Sequence, residues 1–461
     1  KDEAGRIFVK DPEGGVYPVN QIELSLIDDA TQNDAQQLAE LVGGIIIKSF
    51  ATTNTYYLEV PTLSIEELES TISILEIDAR VDYATTNDLL QVTTPNTDLL
   101  NLKLYDSQLT KAYDIIAIAD SWLMADEELE SPPRHVHIGI VDTGIDTSHP
   151  EFLGVNLFGD ATMEPGSSNS CGFVQSHGTE VAGFIGANNL SATEVLPADS
   201  PHMNGIIAGL RDADYALSVY AFSTSDTIQT HIEKGISEGA RVFNFSFGSH
   251  SCQAPHDNVC SPCLKETYFN KAFTKRKRYW EKLFDSQPNV LFVAAAGNEN
   301  VEARYHVPGG AISRPNLITV GATELDDEAT WANFSNYGEG VDVAAPGVGV
   351  YAPGVFREPL DRTDYGRMAY GSVRDFFSGT SAATPMVTGV AAMLMAVSKD
   401  ELTPRQIKDI LVGTTSPACL EIPKLGCRVN ALGAMERVLF PPFLLNDGVE
   451  IWIESSGVTV L

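Results

Sequence analysis

Two spacings of apolar residues alternate through the N-terminal stretch. Ile22-Glu23-Leu24-Ser25-Leu26-Ile27 alternates between apolar and polar from Ile22 to Leu26, as a half-buried strand does. Residues 33 to 42, Asn33 to Val42, instead carry the three-to-four spacing of a helix. Gly44-Ile45-Ile46-Ile47-Lys48-Ser49-Phe50 and Thr55-Tyr56-Tyr57-Leu58-Glu59-Val60 read as two more strands. Ser64-Ile65-Glu66-Glu67-Leu68 opens a capped helix, and Ala79-Arg80-Val81-Asp82-Tyr83-Ala84 supplies a last strand. The order is β-α-β-β-α-β, a small α+β unit.

Beyond it the pattern changes to continuous apolar runs that end on polar residues. His137-Ile138-Gly139-Ile140-Val141 reads as a buried strand of the parallel type and runs into Asp142, where open α/β sheets place their sites. Val290-Leu291-Phe292-Val293-Ala294-Ala295-Ala296-Gly297 runs likewise into Asn298, and Val242-Phe243-Asn244-Phe245 into Ser246-Phe247-Gly248. That last edge could pair with an extended peptide by strand addition. Between these runs, small and apolar stretches predict packed helices after His177 and after Ser381, the second with Pro385 in its first turns. A helical stretch is also expected over residues 264 to 284, and another at Thr403 to Leu411.

The polar ends define a chemistry. A serine hydroxyl is a poor nucleophile at neutral pH, so it needs an imidazole to take its proton and a carboxylate to orient that imidazole. Asp142, His177 and Ser381 are of the right types, in one of the orders in which this triad recurs. A serine at a helix N-terminus meets free N–H groups that suit a developing oxyanion, and Asn298 offers a second donor. Each residue alone is more often structural, as a turn, core or cap residue; the ordered set is what points to catalysis.

Around these residues the chain resembles the subtilases, the subtilisin-like serine proteases of peptidase family S8. The resemblance rests on Ile140-Val141-Asp142-Thr143-Gly144-Ile145-Asp146-Thr147-Ser148-His149-Pro150, Ser176-His177-Gly178-Thr179, Asn244-Phe245-Ser246-Phe247-Gly248, Ala295-Ala296-Gly297-Asn298 and Ser378-Gly379-Thr380-Ser381-Ala382-Ala383-Thr384-Pro385. It implies an α/β fold with a doubly wound, mostly parallel sheet, and serine endopeptidase activity on extended protein or peptide substrates. The catalytic residues would be Asp142, His177, Ser381 and Asn298, and the substrate-binding ones Ser246, Phe247, Gly248, Ala295, Ala296 and Gly297. Where most of the family repeats a histidine three residues after the catalytic one, this chain has Glu180, read either as a neighbour that raises the imidazole pKa or as a residue facing solvent.

Placed before a subtilase, the α+β unit resembles the family's ferredoxin-like propeptide. That implies a zymogen whose residues 1–90 act as chaperone and intramolecular inhibitor, with cleavage between about 84 and 95; a permanent N-terminal domain is the alternative. Residues 91–440 would form the catalytic domain and 441–461 a short strand or hairpin extension. A further reading is a catalytically silent relative that serves as a binding module. Calcium is the cofactor the family implies, with Glu151 and Asn189 as ligands.

Composition adds limits. With 62 acidic against 30 basic side chains the net charge is −32, which disfavours nucleic acid as a partner. The basic island Lys275-Arg276-Lys277-Arg278 is read as a solvated helix face in preference to a processing site. Six cysteines, Cys171, Cys252, Cys260, Cys263, Cys419 and Cys427, favour disulfides, with Cys419–Cys427 as the local pair. Zinc at His250, Cys252, His256, Cys260 and Cys263 is the less favoured reading, because the spacing fits no standard site. No run of 18 apolar residues occurs, so no membrane span is expected. The expectation is a secreted or periplasmic protein whose leader lies outside this numbering.

Overall fold

The computed structural model describes residues 6–10, 16–87, 107–147, 149–159, 177–188, 203–221, 225–251, 272–353, 373–416, 427–441, 443–444, 450–454 and 457–460.

The N-terminal unit follows its apolar periodicity closely. Its elements are β1 (Gln21–Leu26), α1 (Gln32–Leu41), β2 (Ile45–Phe50), β3 (Thr55–Glu59), α2 (Ile65–Glu76) and β4 (Val81–Thr86), in an antiparallel sheet of order β2-β3-β1-β4. Both helices start where a side chain can satisfy the first-turn N–H groups: Thr31 and Asp34 form a capping box, and Ser64 accepts from Glu67. Ile22, Leu24, Leu26 and Leu58 bury one sheet face against Leu38, Ile72 and Leu75.

The body holds α3 (Ser107–Ile115), α4 (Ile118–Glu128), β5 (Val136–Asp142), β6 (Asn156–Phe158), α5 (His177–Gly186), β7 (Tyr215–Ala221), α6 (Ser225–Glu238), β8 (Val242–Phe245), α7 (Ala272–Ser286), β9 (Leu291–Ala295), β10 (Leu317–Thr323), β11 (Val343–Pro346), α8 (Thr380–Val397), α9 (Pro404–Gly413), β12 (Cys427–Arg428) and α10 (Ala431–Leu439). Eight strands form one parallel sheet in the order β12-β11-β10-β9-β8-β5-β7-β6. Both faces are covered, which is why the strands read as unbroken apolar runs. On one face Val181, Phe184, Met386, Val390 and Leu394 of α5 and α8 pack on Ile138, Ile140 and Val293; on the other, Ile232, Trp280 and Phe284 of α6 and α7 meet Phe243 and Phe292. This is the doubly wound α/β fold. The chain moves outward from β5 on one side and returns to β8 on the other, so the topological switch lies between β5 and β8, where such sheets open their binding crevice.

The 18-residue helix α8 is long and apolar enough to cross a membrane, but 94% of it is buried within the body, as a core helix requires. The chain ends in three short antiparallel strands over Phe443–Leu444, Glu450–Glu454 and Gly457–Val460.

The second face of the N-terminal sheet lies on α6 and α7, and here the sequence reading of the basic island is corrected. Lys275 and Arg276 are buried rather than solvated. Arg276 Nη1 lies 3.3 Å from Glu23 Oε2, and that carboxylate also accepts from the Tyr57 and Tyr83 hydroxyls at 3.1 and 2.9 Å. Lys275 Nζ meets Glu76 at 2.5 Å and donates to the Ala84 carbonyl at 2.8 Å. Arg278 and Lys282 both pair with Asp82, at 2.6 and 3.1 Å, while Lys48 of β2 pairs with Asp226 of α6 at 3.2 Å. The reason lies in the partner: a sheet face bearing Glu23 and Asp82 can be covered only by opposite charge.

Candidate active site

Two motifs interlock to place the acid and the base. Asp142 is the last residue of β5, fully buried at the switch point. Its Oδ1 accepts from the Thr143 N–H at 2.7 Å and from His177 Nδ1 at 2.8 Å. His177 is the first residue of α5, and that helix starts so close to the strand-end turn that a Cβ on Gly178 would lie 2.1 Å from the Gly144 carbonyl oxygen. Gly178 N–H donates to Thr143 Oγ1, and Asp146 N–H to Thr179 Oγ1, each at 3.0 Å. Donation from Nδ1 makes Nε2 the basic nitrogen of a neutral imidazole. Phe377 stands edge-on to this ring at 5.1 Å.

Ser381 is the second residue of α8, which packs against α5. The proline four residues later has a specific effect. Pro385 has no N–H, so the Ser381 carbonyl loses its intrahelical donor. Ser246 takes its place: its hydroxyl donates to the Ser381 carbonyl at 3.0 Å and accepts from Asn244 Nδ2 at 2.9 Å. The Ser381 hydroxyl in turn donates to the Ser246 carbonyl at 3.0 Å, while His177 Nε2 accepts no hydrogen bond among the described residues. Helix α8 and the end of β8 are thus joined through the two serines.

Asn298 lies just past β9. Its Oδ1 accepts from the Thr380 N–H at 2.8 Å and from Thr380 Oγ1 at 3.0 Å. Two donors on one end commit that end as oxygen, so Nδ2 is the end able to donate. Four predicted residues, Asp142, His177, Ser381 and Asn298, therefore gather at one edge of the sheet, on elements that contact each other.

The predicted substrate segments show departures. β8 is paired on both sides, so an extended peptide could add only to residues 246–248 beyond its end. The Phe247 ring turns into the core, 5.2 Å from Phe245 and 6.1 Å from Trp280, rather than lining a cleft. Gly248 and Gly297 both lie against His306: a Cβ on Gly248 would lie 2.1 Å from its Cε1 and one on Gly297 2.6 Å from its Cδ2. Glu299 is buried; its carboxyl is pushed up to about 7 by burial and lies 3.6 Å from His250 Nδ1. Burial pushes His306 the other way, down to about 4. Glu180 is buried on α5, not facing solvent.

Glu151, in a short turn at Pro150–Phe152, is fully buried; burial pushes its carboxyl up to about 7, and Oε2 accepts from Met203 N–H at 3.4 Å. Calcium takes about six to eight oxygen ligands. The described residues supply one carboxylate there, and no group of three His, Cys, Asp or Glu side chains converges among them. Asn189 lies outside the described residues, as do Cys252, His256, Cys260 and Cys263 of the zinc reading. Cys427 is disulfide-bonded, with a partner outside the described residues.

One residue went unread in the sequence. Asn336, in Ser335-Asn336-Tyr337-Gly338, looks like a turn residue, yet it is fully buried and bonds to the segment carrying Asn298. No local pattern announces this.

A parallel sheet covered by helices on both faces, with Asp142 at a central strand end and His177 and Ser381 at two helix N-termini, defines a doubly wound α/β protein. Residues 134–436 match the family model of the subtilases, peptidase S8. The chain belongs to the subtilase family. It is 29% identical over 284 residues to subtilisin amylosacchariticus of Bacillus subtilis subsp. amylosacchariticus, covering 61% of each chain. Over 269 residues it is 29% identical to subtilisin-like protease 6 of Trichophyton rubrum, covering 56% of this chain and 52% of that one. It thus spans about three fifths of the length of these relatives. Among solved structures, fervidolysin from Fervidobacterium pennivorans matches with TM-score 0.60 at 18% identity, over 100% of this chain and 71% of that one. The epidermin leader peptide processing protease of Staphylococcus aureus matches with TM-score 0.56 at 14% identity, over 90% and 99%. These two likenesses bear on the fold alone.

Proposed function

We propose that the chain is a serine endopeptidase, made as a zymogen and exported. The observation that carries this reading is the buried His177–Asp142 hydrogen bond, 2.8 Å long, beside a serine at a helix N-terminus and an asparagine amide oriented by Thr380. Rotation about the Cα–Cβ bond of Ser381 releases its hydroxyl from the Ser246 carbonyl and presents it to His177 Nε2. His177 then takes the proton as Oγ attacks the scissile carbonyl; Asp142 supports the imidazolium, and Asn298 Nδ2 with the Ser381 N–H receives the oxyanion. Collapse of the tetrahedral intermediate returns the proton to the leaving amine, and water repeats the sequence on the acyl-enzyme. The substrate is an extended peptide laid along residues 246–248 and 295–297.

Residues 1–90 serve as the intramolecular inhibitor, 91–440 as the catalytic domain and 441–461 as an appended extension. The ion pairs on α7 support a docked N-terminal domain. Glu151 and Asn189 would be ligands of a calcium ion in a structural and not a catalytic role.

A fluorophosphonate probe tests the reading. The wild-type chain labels at Ser381, Ser381→Ala does not, and Ser381→Ala purifies with its N-terminal domain still attached. The hydroxyl's bond to Ser246 favours a second reading, a silent binding module. Failure of wild type to label after limited proteolysis of the N-terminal domain selects that one.

A further inference from the structure

We infer that Asn336 is a positioning residue for the oxyanion site, acting through Asn298; this rests on the endopeptidase reading. Its side chain uses its full bonding capacity on a single loop. Oδ1 accepts from the N–H groups of Glu299 and Val301 at 3.1 and 3.0 Å. Nδ2 donates to the Ala296 carbonyl at 2.9 Å and to Glu299 Oε2 at 2.6 Å. Its own N–H donates to the Gly297 carbonyl at 2.9 Å. Five hydrogen bonds from one buried residue thus hold the segment 296–301 on both sides of Asn298.

The hold is needed because of where that segment lies. It leaves the sheet after Ala295 and bends at once, Gly297 having φ +100°, a left-handed conformation with no ladder to fix it. The approach is close: a Cβ on Gly297 would stand 2.3 Å from Asn336 Nδ2. From the other side Thr380, next to the nucleophile, holds the side-chain oxygen of Asn298 and accepts from the Gly297 N–H at 3.2 Å. Thr380 therefore sets the orientation of the amide and ties one backbone group, whereas Asn336, bonded to backbone groups of Ala296, Gly297, Glu299 and Val301, sets the position of the backbone on both sides of it. Asn336 has no contact with substrate in this arrangement; it determines whether Nδ2 reaches the developing oxyanion. Oxyanion donors act over a narrow range of distance, so a small shift of the loop costs rate rather than binding.

The test is a double-mutant cycle on cleavage of a chromogenic peptide. Asn336→Ala is expected to lower kcat by about tenfold or more with KM changed less than about threefold, and to change kcat by less than about twofold when Asn298 is already alanine. Equal losses in both backgrounds, or a loss confined to KM, overturn the proposal. Asn336→Asp keeps both acceptor bonds but sets a second carboxyl against Glu299, so its deficit should deepen between about pH 6 and pH 8; a pH-independent deficit counts against the role. Asn336→Ser, which keeps one acceptor, replaces the alanine if that variant does not fold. Fluorophosphonate labelling of wild type separates the two failures: no labelling sinks the endopeptidase reading, whereas labelling with additive losses sinks only this inference.

Discussion

Two buried polar regions of this molecule are built on opposite plans. At the seam between the N-terminal sheet and α7, Glu23, Glu76 and Asp82 each meet a cation, and Glu23 also accepts two tyrosine hydroxyls. At the site, Asp142 Oδ2 and His177 Nε2 are buried with no hydrogen-bond partner among the described residues. Burying a polar atom without a partner costs about 1–3 kcal/mol, and at His177 the open atom is the one the proposed mechanism uses as base. The seam spends its charges on holding two pieces together. Under the proposed mechanism the site instead leaves His177 Nε2 open for the proton of the nucleophile.

The largest test of this contrast is Asp142→Asn. An amide at the strand end can no longer enforce the tautomer with a basic Nε2, and kcat should fall about 10⁴-fold while the fold is retained. Peptide hydrolysis with circular dichroism as control checks it; a loss under tenfold would show that Asp142 is merely a turn residue. Next in size is Arg276→Met, which leaves the Glu23 carboxylate buried without its cation. Breaking such a pair costs about 3–5 kcal/mol, read by urea denaturation or by release of the N-terminal domain. Glu23→Leu combined with Arg276→Met should recover part of that loss, and a single variant as stable as wild type would mean the seam does not depend on its charges.

The smallest effect lies in pH. Glu299 has its pKa raised from 4.5 to about 7 by burial, so its contribution to stability is complete below about 4.5 and is lost as pH rises through about 7. His306, lowered from 6.5 to about 4, has the opposite slope: its contribution is complete above about 6.5 and is lost as pH falls toward about 4. The two overlap, so the informative quantity is a difference. Melting temperature of Glu299→Gln relative to wild type should rise between pH 5 and pH 8, and a flat difference would refute the shifted carboxyl.

Much of this was legible locally. The α+β unit could be read because each of its elements carries its own period, and because Thr31 and Ser64 stop their helices from starting earlier. The four candidate residues could be singled out because Asp142 and Asn298 follow apolar runs that read as buried strands, and His177 and Ser381 precede small, apolar runs that read as packed helices. Lys275 and Arg276 could not be: on a helix surface their spacing is that of any solvated face, and their burial depends on a sheet roughly two hundred residues earlier in the chain. The solvent-facing reading of Glu180 and the substrate-lining reading of Phe247 fail for the same reason, since the direction of a side chain near the end of an element is set by neighbours from other elements.

Although β6, β7, β10, β11 and the helices α3, α4, α6 and α10 were not read from it, sequence alone determined the elements of the N-terminal unit, the strands and helices with Asp142, His177, Asn298 and Ser381 at or next to their ends, and which chemistry those residue types can share. Those properties depend on periodicity and local hydrogen bonding, which operate over a few residues. Only the tertiary structure decided that Pro385 hands the Ser381 carbonyl to Ser246, that Asn336 clamps the Asn298 loop, and that a basic helix is sealed by an acidic sheet. Each of these joins groups far apart in the chain, and their pairing is fixed by the close packing of elements against one another rather than by anything the separate stretches carry.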